Sequence, residues 1–388
     1  MTARRPRVLF YVQHLLGIGH LKRAATLARA AAGAGLDVTL ASGGQEVPGL
    51  ALGEAKLVQL APVRAADKYF KVLVDADGRE IDDAFRRARR DRLLRVLADI
   101  APDIVITELF PFGRRQLRLE LLAMLDEARA APRRPAIVCS VRDILVEPPK
   151  PERVAEMLDL VERYYDLVLV HGDPTLIPFD ETFAPAHRIA DKLRYTGYVV
   201  DEAAGRPGDG QGAGEVIVSA GGGAVSEELF RAAIAARPRT RLAGARWRLL
   251  AGHALAEPEF AALAAAPPDG VVVERARPDF STLLSNAALS ISQGGYNTVM
   301  EVLAAGARGV IVPYAGGLET EQTLRARLLE RQSGLRVVEE GALSAETLVD
   351  AVEAALAGPP PSADGLDTNG AGVTSGILRD LAEARMEA

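Results

Sequence analysis

The chain of 388 residues is poor in the residue types that form covalent or metal-linked frameworks. It has one cysteine, Cys139, and five histidines. A single cysteine excludes an internal disulfide and fits a reducing compartment. Cys139 lies in the strand-like run Ala136–Val141, so we expect a buried, inert thiol. The sequence shows no His/Cys cluster with metal-ligand spacing, so we predict that no metal is required.

Long hydrophobic runs are also lacking. The first residues lead directly into Val8–Val12, an apolar run too short for the core of a signal peptide. No stretch reaches the roughly 18 uncharged apolar residues of a membrane-spanning helix. We therefore expect a soluble, cytoplasmic protein without a transmembrane segment.

Neither half of the chain is strongly basic. Residues 1–200 hold 30 Lys+Arg and 27 Asp+Glu, a balance of +3, and the remainder holds 16 and 25, a balance of −9. Without a basic stripe interleaved with aromatics, nucleic acid is not an expected partner. One local cluster consists of Arg86, Arg87, Arg89, Arg90, Arg92 and Arg95. It indicates either a solvated helix face or a patch for an anionic membrane surface or acceptor, so peripheral membrane contact stays open.

Strand-like and helical segments alternate along the whole chain, which predicts parallel sheets with crossover helices. The predicted strands are Arg7–Val12, Val38–Ser42, Ile104–Ile106, Ala136–Val141, Leu167–Val170, Leu193–Thr196, Val216–Ser219, Arg246–Ala251, Val271–Val273, Ala287–Ile291, Gly309–Val312 and Arg336–Val338. The predicted helices include Leu21–Ala34, Gln116–Arg129, Val225–Ala236, Thr298–Ala305, Thr320–Gln332, Ala345–Ala357 and a final piece near Gly376–Arg385.

A stretch rich in Gly and Pro separates two similar halves. We predict an N-terminal domain over 1–202, a linker over 203–214, a C-terminal domain over 215–365 and a last segment over 366–388 that returns to the N-terminal domain. The expected fold class is α/β, with two Rossmann-like domains facing across a cleft. Ligands of such folds bind beyond the carboxyl ends of the strands, so the residues after each strand matter most.

Two glycine loops in the second half suit a phosphate. The segment Ser292–Glu301 joins a buried strand to a helix through Gly294 and Gly295, and Ser219–Ala224 carries Gly222 and Gly223 at a similar place. At such junctions backbone N–H groups can face a phosphate. Glu301 lies about one turn into its helix, where a carboxylate can accept hydrogen bonds from a ribose diol.

Another strand of the second half ends in Pro313-Tyr314-Ala315-Gly316-Gly317, ahead of Glu321 and Gln322. These two side chains either hydrogen-bond sugar hydroxyls or are an ordinary carboxylate and a surface amide at the start of a helix.

In the first half, the loop after the first strand places Gly19 and His20 at the start of a helix. The positive end of a helix disfavours imidazolium, so a histidine there suits a general base near neutral pH. His20 as a base and His20 as a mere helix cap are both open.

Polar residues follow three further strands of the first half. The third strand is followed by a segment that forms either an acceptor pocket or a packed turn with surface arginines. Its candidate residues are Glu108, Phe110, Phe112 and Arg114. The other strand-end candidates are Asp143, His171 and Asp173. Because the ends of parallel strands converge at one edge of the sheet, some of these residues should contact substrate.

The motif Asp75-Ala76-Asp77-Gly78 has the form of a metal-binding DxD. It lies between two short extended runs, and Asp-Gly is typical of a tight turn, so we predict a hairpin turn there.

At these residues the chain resembles the GT-B glycosyltransferases of family 28, which include the peptidoglycan enzyme that adds N-acetylglucosamine to a lipid-linked intermediate. The motifs that carry the resemblance are Gly17-Ile18-Gly19-His20, Ser219–Ala224, Gln293–Glu301 and Tyr195-Thr196-Gly197-Tyr198-Val199. Phe110–Arg115 and His171–Pro174 are similar to a bacterial group of predicted family-28 enzymes. The match covers both domains and implies a GT-B fold.

The resemblance implies a nucleotide-sugar co-substrate, UDP-linked by the family pattern, with no other cofactor. Its implied donor-binding residues are Gly222, Gly223, Arg277, Gln293, Gly294, Gly295, Asn297, Thr298, Glu301, Glu321 and Gln322. The expected catalytic base is His20, and the acceptor or cleft residues are Gly19, Glu108, Arg114, Asp143, His171 and Asp173. The acceptor is a small molecule or a lipid-linked one.

The expected reaction is inverting, metal-independent transfer of a sugar to a hydroxyl acceptor. Three alternatives stay open. The loop Gly17–Arg23 also looks like that of a GT-B-like UDP-sugar hydrolase, in which water replaces the acceptor. A 2-epimerase of the same architecture and a non-catalytic nucleotide-sugar-binding protein are the others.

Overall fold

The computed structural model of the protein describes residues 4–67, 71–145, 150–201, 210–221, 227–252, 255–315, 321–361 and 366–387. By internal contacts the chain divides into two compact units. The first unit consists of Met1–Leu16, His20–Val199 and Leu366–Ala388, and the second consists of Gly17–Gly19 and Val200–Gly365.

The first unit is built on a seven-stranded parallel sheet. Its strands, with a separate short hairpin of β4 and β5, are β1 (Arg7–Val12), β2 (Asp37–Ser42), β3 (Lys56–Gln59), β4 (Arg64–Ala65), β5 (Leu73–Val74), β6 (Ile104–Glu108), β7 (Ala136–Arg142), β8 (Leu167–His171) and β9 (Leu193–Tyr195). Its helices are α1 (Gly19–Gly33), α2 (Asp83–Ile100), α3 (Arg118–Ala130), α4 (Pro151–Tyr164) and α5 (Phe179–Thr182). The strand order is β3-β2-β1-β6-β7-β8-β9.

Apolar side chains cover both faces of this sheet, as a parallel sheet requires. Leu9 and Val105 belong to the cluster on one face, while Val8 and Phe10 belong to the cluster on the other. The strand order reverses direction between β1 and β6, so the loops that follow these two strands flank the switch point of the sheet. In open α/β sheets this is where ligands bind.

The second unit repeats this plan with a six-stranded parallel sheet. Its strands are β10 (Val216–Ser219), β11 (Trp247–Ala251), β12 (Val271–Arg275), β13 (Leu289–Gln293), β14 (Gly309–Val312) and β15 (Arg336–Val337). Its helices are α6 (Glu227–Ala236), α7 (Glu257–Ala264), α8 (Phe280–Asn286), α9 (Tyr296–Ala304), α10 (Glu321–Ser333) and α11 (Ala345–Ala357). The order β12-β11-β10-β13-β14-β15 puts its switch point between β10 and β13.

The last helix, α12 (Gly370–Glu387), belongs to the first unit. Leu378 and Ala382 pack into the same apolar cluster as β1. The segment before the helix is tied by backbone hydrogen bonds, from Tyr198 N to Asp367 O at 2.6 Å and from Gly370 N to Tyr198 O at 3.0 Å. Of the predicted linker, residues 203–209 lie outside the described residues.

Every predicted strand is present in the structure, with bounds that shift by up to two residues. Two long helices, α2 and α4, were not among those predicted. In α2 the positions that face the core include Arg89 beside Leu93 and Leu97, so a charged residue interrupts the apolar pattern.

The Asp75–Gly78 motif forms the predicted hairpin turn. Asp75 N donates to Arg79 O at 2.9 Å, and Val74 pairs antiparallel with Glu80. Asp75 Oδ1 accepts the backbone N–H groups of Asp77 and Arg79, each at 2.9 Å. The first carboxylate of the motif therefore stabilises its own turn.

Candidate functional site

His20 and Glu108 meet at the switch point of the first sheet. His20 is the second residue of α1, after the loop that follows β1, and Glu108 is the last residue of β6. His20 Nδ1 lies 2.9 Å from Glu108 Oε1. A carboxylate that accepts from Nδ1–H leaves the lone pair on Nε2, which is the arrangement of a histidine general base.

Glu108 is fully buried and surrounded by donors. Arg23, one turn after His20 on α1, donates to Oε1, and Ser140 Oγ donates to Oε2 at 2.6 Å. Burial alone would raise the pKa of the Glu108 carboxyl, but the Arg23 charge and the hydrogen bonds from His20 and Ser140 lower this pKa overall. Glu108 is therefore ionised at neutral pH.

His20 is neutral at neutral pH. Burial lowers the pKa of His20 well below its usual value, and the Arg114 and Arg142 charges lower it further against the opposing effect of Glu108. A base must be unprotonated to accept a proton, so this environment suits the role predicted for His20.

His171, at the end of β8, joins the same group of residues. Its Nε2 lies 2.9 Å from Ser140 Oγ and its Nδ1 lies 2.8 Å from Thr196 Oγ1. The sheet register explains this, because Glu108 pairs with Ser140 across β6 and β7. Burial, followed by the Arg23 charge, lowers the pKa of His171 to about 3.

The segment after β6 is a packed turn, one of the two structures that its sequence allowed. Phe110 and Phe112 are buried, and Phe112 makes edge-to-face contacts with Phe179 and Phe183 at ring-centroid distances of 6.1 and 5.5 Å. The aromatic rings therefore belong to the core and do not line an acceptor pocket.

Arg114 ends this turn in a left-handed conformation at φ 63°, and Leu109, next to Glu108, has φ 68°. Such angles are uncommon outside glycine and cluster at functional sites. Arg114 Nε donates to Gln13 O at 2.7 Å, which fixes the guanidinium beside the loop after β1. Burial lowers the pKa of Arg114 to about 10, so the group is a cation at neutral pH.

Asp143 and Asp173 follow β7 and β8. Asp143 is fully buried, and a methyl group on Gly172 would lie 2.7 Å from Asp143 Cβ. Asp173 Oδ1 accepts from Thr175 N at 2.8 Å, and its Oδ2 accepts from Asp367 N at 3.2 Å. The structure thus places Asp173 in the attachment of the C-terminal segment.

The arginine cluster of α2 is not one surface. Arg87, Arg92 and Arg95 are exposed, but Arg89 is buried, and its Nε donates to Glu120 Oε2 at 2.7 Å. Arg89 Nη2 also donates to Gln13 Oε1 at 2.6 Å. A single solvated face, one of the two interpretations of the cluster, is therefore wrong for Arg89.

In the second unit, the loops after β10 and β13 flank the switch point. Gly294 is packed tightly, since a methyl group there would lie 3.1 Å from Pro313 Cα. Gly295 precedes α9 and faces open space, with no described atom within 4 Å of such a methyl group. Gly295 is the N-cap residue of α9 and has no side chain that could accept from the first N–H groups of the helix, and the first turn holds no acidic residue. This helix start suits an anion.

The loop after β10 borders the same space. Gly221 has φ 66°, and a methyl group there would lie 3.9 Å from Thr298 Oγ1 and 4.0 Å from Gln293 Oε1. The two predicted glycine loops therefore converge on Thr298 and Gln293. Gly222 and Gly223 lie outside the described residues.

Asn297 and Glu301 lie on α9, in its first and second turns, and Glu301 is partly buried. Side chains four residues apart lie on the same helix face. Glu301 is thus placed one turn beyond the helix start, as the sequence predicted.

Glu321 begins α10 and is buried, and Gln322 supports the loop after β14. Gln322 Oε1 accepts from Tyr314 N at 3.1 Å, and Glu340 Oε2 accepts from Ala315 N at 2.8 Å. The Gln322 carbonyl therefore shapes the backbone of that loop.

Arg277 lies just after β12, with its side chain in a network of ion pairs. Its Nε donates to Asp279 Oδ1 at 2.8 Å, and its Nη2 donates to Gln211 Oε1 at 2.5 Å. It also contacts Glu274, which is bound to Arg248. The guanidinium predicted to help bind the donor thus supports the turn that follows β12.

Three residues of the first site were not predicted: Arg23, Ser140 and Thr196. Arg23 carried a usable signal, because it lies one helical turn from His20 and so shares its face of α1. Ser140 and Thr196 carried none, since only the register of β6, β7 and β8 brings them to Glu108 and His171.

Cys139 is buried, as expected, and burial raises the pKa of its thiol. Across the parts of the chain that the structure describes, no group of three His, Cys, Asp or Glu residues is placed to hold a metal ion. Within those same parts, no helix has the length and apolar character needed to cross a membrane.

Comparison with known proteins gives a family match in the second unit. Residues 270–367 match the Glycosyltransferase family 28 C-terminal domain. The UDP-N-acetylglucosamine–N-acetylmuramyl-(pentapeptide) pyrophosphoryl-undecaprenol N-acetylglucosamine transferase of Chelativorans sp. (strain BNC1) is 36% identical over 81 residues, which are 21% of this chain and 22% of that relative. The aligned part thus spans less than a quarter of that relative's length.

Solved structures match over nearly the whole chain. The spinosyn rhamnosyltransferase SpnG complexed with thymidine diphosphate has a TM-score of 0.61 at 17% identity, over 98% of this chain and 96% of its own. MurG of Acinetobacter baumannii has a TM-score of 0.57 at 15% identity, over 97% of this chain and 100% of its own. The α/β fold is therefore GT-B, as predicted, and the resemblance to family 28 is confirmed for residues 270–367.

Proposed function

We propose that the protein is an inverting glycosyltransferase that moves a sugar from a nucleotide donor, UDP-linked in our proposal, to a hydroxyl acceptor. The observation that carries the proposal is the start of α9, whose N-cap residue is Gly295, within the segment that matches the family 28 C-terminal domain. The family match supports a nucleotide-sugar donor, and the helix N-terminus supplies a place for its diphosphate.

The proposed donor site lies at the switch point of the second sheet. The diphosphate accepts from the first N–H groups of α9 and from the loop that contains Gly221. Thr298 and Gln293 offer further polar atoms to the same space, and Glu301 accepts from the ribose diol. Gln322 contributes by shaping the loop after β14, and Arg277 by holding the turn after β12.

The proposed reaction begins when His20 Nε2 takes the proton of the acceptor hydroxyl. The hydroxyl oxygen then forms a bond to the anomeric carbon from the face opposite the diphosphate, and the bond from that carbon to the diphosphate breaks. The electron pair of the broken bond leaves with the nucleoside diphosphate. Glu108 stabilises the imidazolium that His20 becomes, and the α9 dipole stabilises the charge on the leaving group.

This chemistry needs no metal ion and no cofactor beyond the donor. Where a metal-dependent transferase neutralises the diphosphate with a cation, backbone N–H groups fill that role here. Arg114 and Arg142 lie close enough to His20 for their charges to lower its pKa, so the proposed acceptor hydroxyl binds next to them.

A thermal-shift screen of nucleoside diphosphates and nucleotide sugars tests the donor assignment. We expect stabilisation by UDP and UDP-sugars but not by ADP or NAD. Stabilisation by dinucleotides alone would overturn the proposal. Products formed with and without acceptors then identify the reaction: stoichiometric free sugar without any acceptor would indicate hydrolysis instead of transfer.

A further inference from the structure

A buried chain of hydrogen bonds runs from Thr196 to the carboxylate of Glu108. Thr196 Oγ1 lies 2.8 Å from His171 Nδ1, His171 Nε2 lies 2.9 Å from Ser140 Oγ, and Ser140 Oγ lies 2.6 Å from Glu108 Oε2. None of these four residues is more than 1% exposed. Three of them have no part in the reaction described above.

Starting from Glu108, each hydrogen bond determines which atom carries the proton in the next one. Glu108 is ionised and can only accept hydrogen bonds. Ser140 has one hydroxyl proton, and it donates this proton in the hydrogen bond to Glu108 Oε2. Ser140 Oγ must therefore accept from His171, which puts a proton on His171 Nε2.

The same reasoning fixes the far end of the chain. The charged groups that face His171 are Arg23 and Glu108, and burial keeps its imidazole neutral. A neutral imidazole carries one ring proton, so Nδ1 has only a lone pair and can only accept from the Thr196 hydroxyl, whose other acceptors within reach are Gly197 O at 3.1 Å and Val170 O at 3.5 Å. The donors of His171 and Ser140 thus point toward Glu108.

We propose that Ser140 and His171 are positioning residues that lock the Glu108 carboxylate in one orientation and thereby hold His20 in its Nδ1–H tautomer. The carboxylate has two neighbouring donors at Oε1, the ring N–H of His20 and the guanidinium of Arg23. Ser140 Oγ donates to the other oxygen, Oε2. Without that bond the carboxylate can rotate so that Arg23 binds both oxygens, and His20 loses its fixed tautomer.

The catalytic consequence rests on the proposed function, but the proton arrangement does not. Long-range ¹H–¹⁵N correlation spectra of the full-length protein labelled with ¹⁵N-histidine show which ring nitrogen carries the proton. At pH 7 we expect the Nε2–H tautomer for His171 and the Nδ1–H tautomer for His20. Signals are assigned by their loss in His171→Gln and His20→Asn. A His171 that is protonated at Nδ1, or at both nitrogens, would overturn the proposal.

Substitutions along the chain test its effect on His20. Ser140→Ala should leave His20 as a mixture of tautomers in the same spectra. It should lower kcat by about tenfold, the scale of one hydrogen bond to a charged group, without changing the donor KM. An unchanged His20 spectrum in Ser140→Ala would contradict the proposal even if no substrate of the protein were known.

Paired variants of His171 separate positioning from packing. The amide N–H of His171→Gln can replace the ring Nε2–H as the donor to Ser140, whereas His171→Phe fills the space without a donor. We expect His171→Gln to retain the His20 tautomer and most of kcat. We expect His171→Phe to lose both, although its melting temperature should remain high enough for it to stay folded during the assay. Equal losses in the two variants would show a role in packing alone.

Discussion

His20 Nδ1 and Glu108 Oε1 lie 2.9 Å apart, although 88 residues separate them in the chain. His20 follows β1 and Glu108 ends β6, and these two strands are neighbours in the sheet but not in sequence. A parallel sheet brings the carboxyl ends of such strands together at its switch point. The pairing of a neutral histidine with an ionised, buried carboxylate is thus a product of the strand order.

Replacing His20 should remove the catalytic base without unfolding the protein. We expect His20→Ala to lower kcat by about 10²–10⁴-fold, the usual contribution of general base catalysis, with unchanged affinity for the donor. Steady-state kinetics with a donor found in the thermal-shift screen measures kcat, and titration with UDP measures donor affinity.

His20→Asn is the matched control, because its amide N–H can still donate to Glu108 but has no nitrogen that can act as the base. It should melt closer to the wild-type protein than His20→Ala does, and its kcat should be equally low. Turnover near that of the wild-type protein in either variant, with donor binding intact, would refute the role of His20.

Each half of this pair could be predicted from the sequence, but the pair could not. His20 was indicated by its place at a helix start after a glycine loop, and Glu108 by its place at a strand end. Their contact depends on strand order, which the sequence pattern does not predict. The same holds for Ser140, whose sequence environment is that of any buried strand residue.

Adjacent glycines of the donor loop should respond in opposite ways to alanine. Gly295 faces open space, so Gly295→Ala should fold normally while its methyl group occupies part of the proposed diphosphate site. We expect at least a tenfold weaker affinity for UDP, measured by calorimetry, and an unchanged melting temperature.

Gly294→Ala is the control for this substitution. Its methyl group would lie 3.1 Å from Pro313 Cα and 3.3 Å from Ile311 Cγ2, so the neighbouring backbone must shift. We expect a destabilisation of about 1–3 kcal/mol, the usual effect of overpacking. Wild-type affinity for UDP in Gly295→Ala would mean that the diphosphate does not bind at the start of α9.

Removal of metal ions should leave turnover unchanged. In the proposed reaction the leaving diphosphate is stabilised by the N–H groups at the start of α9, so no cation is needed. The measurement is initial rate after dialysis against EDTA, with and without added Mg²⁺ or Mn²⁺. A rate that falls at least tenfold in EDTA and returns with either ion would contradict this part of the proposal.

Arg89 should be needed for stability, in contrast to its neighbours on α2. Arg89→Met removes a buried partner of Glu120 and leaves that carboxylate buried beside Tyr11. Breaking a buried ion pair costs about 3–5 kcal/mol, and we expect a loss of that size in urea unfolding. Arg87→Met, at an exposed position of the same helix, should change the free energy of unfolding by less than about 0.5 kcal/mol. Similar losses in both variants would refute the distinction.

The contrast between Arg89 and Arg87 shows that burial of a single arginine on α2 is not predictable from the sequence. Both arginines lie in one charged run, and nothing local distinguishes them. Burial of Arg89 is decided by Glu120 on α3 and by Gln13 after β1, which fold against it from distant parts of the chain. Arg277 differs from Arg89, since its ion-pair partners Asp279 and Glu274 lie only two and three residues away in the sequence.

Acid should destabilise the protein partly through His171. In the folded protein the pKa of His171 is about 3, whereas in the unfolded chain it is about 6.5, the value of a free histidine. Between these values the unfolded state binds one more proton at this residue, so stability rises with pH across the window and falls as pH is lowered through it. The slope from one such proton is about 1.4 kcal/mol per pH unit.

His171→Gln tests this contribution, because its side chain cannot titrate. Its free energy of unfolding, measured in urea from pH 4 to 6, should vary with pH less steeply than that of the wild-type protein by about this amount. Parallel curves for the two proteins would show that His171 does not remain neutral in the folded state.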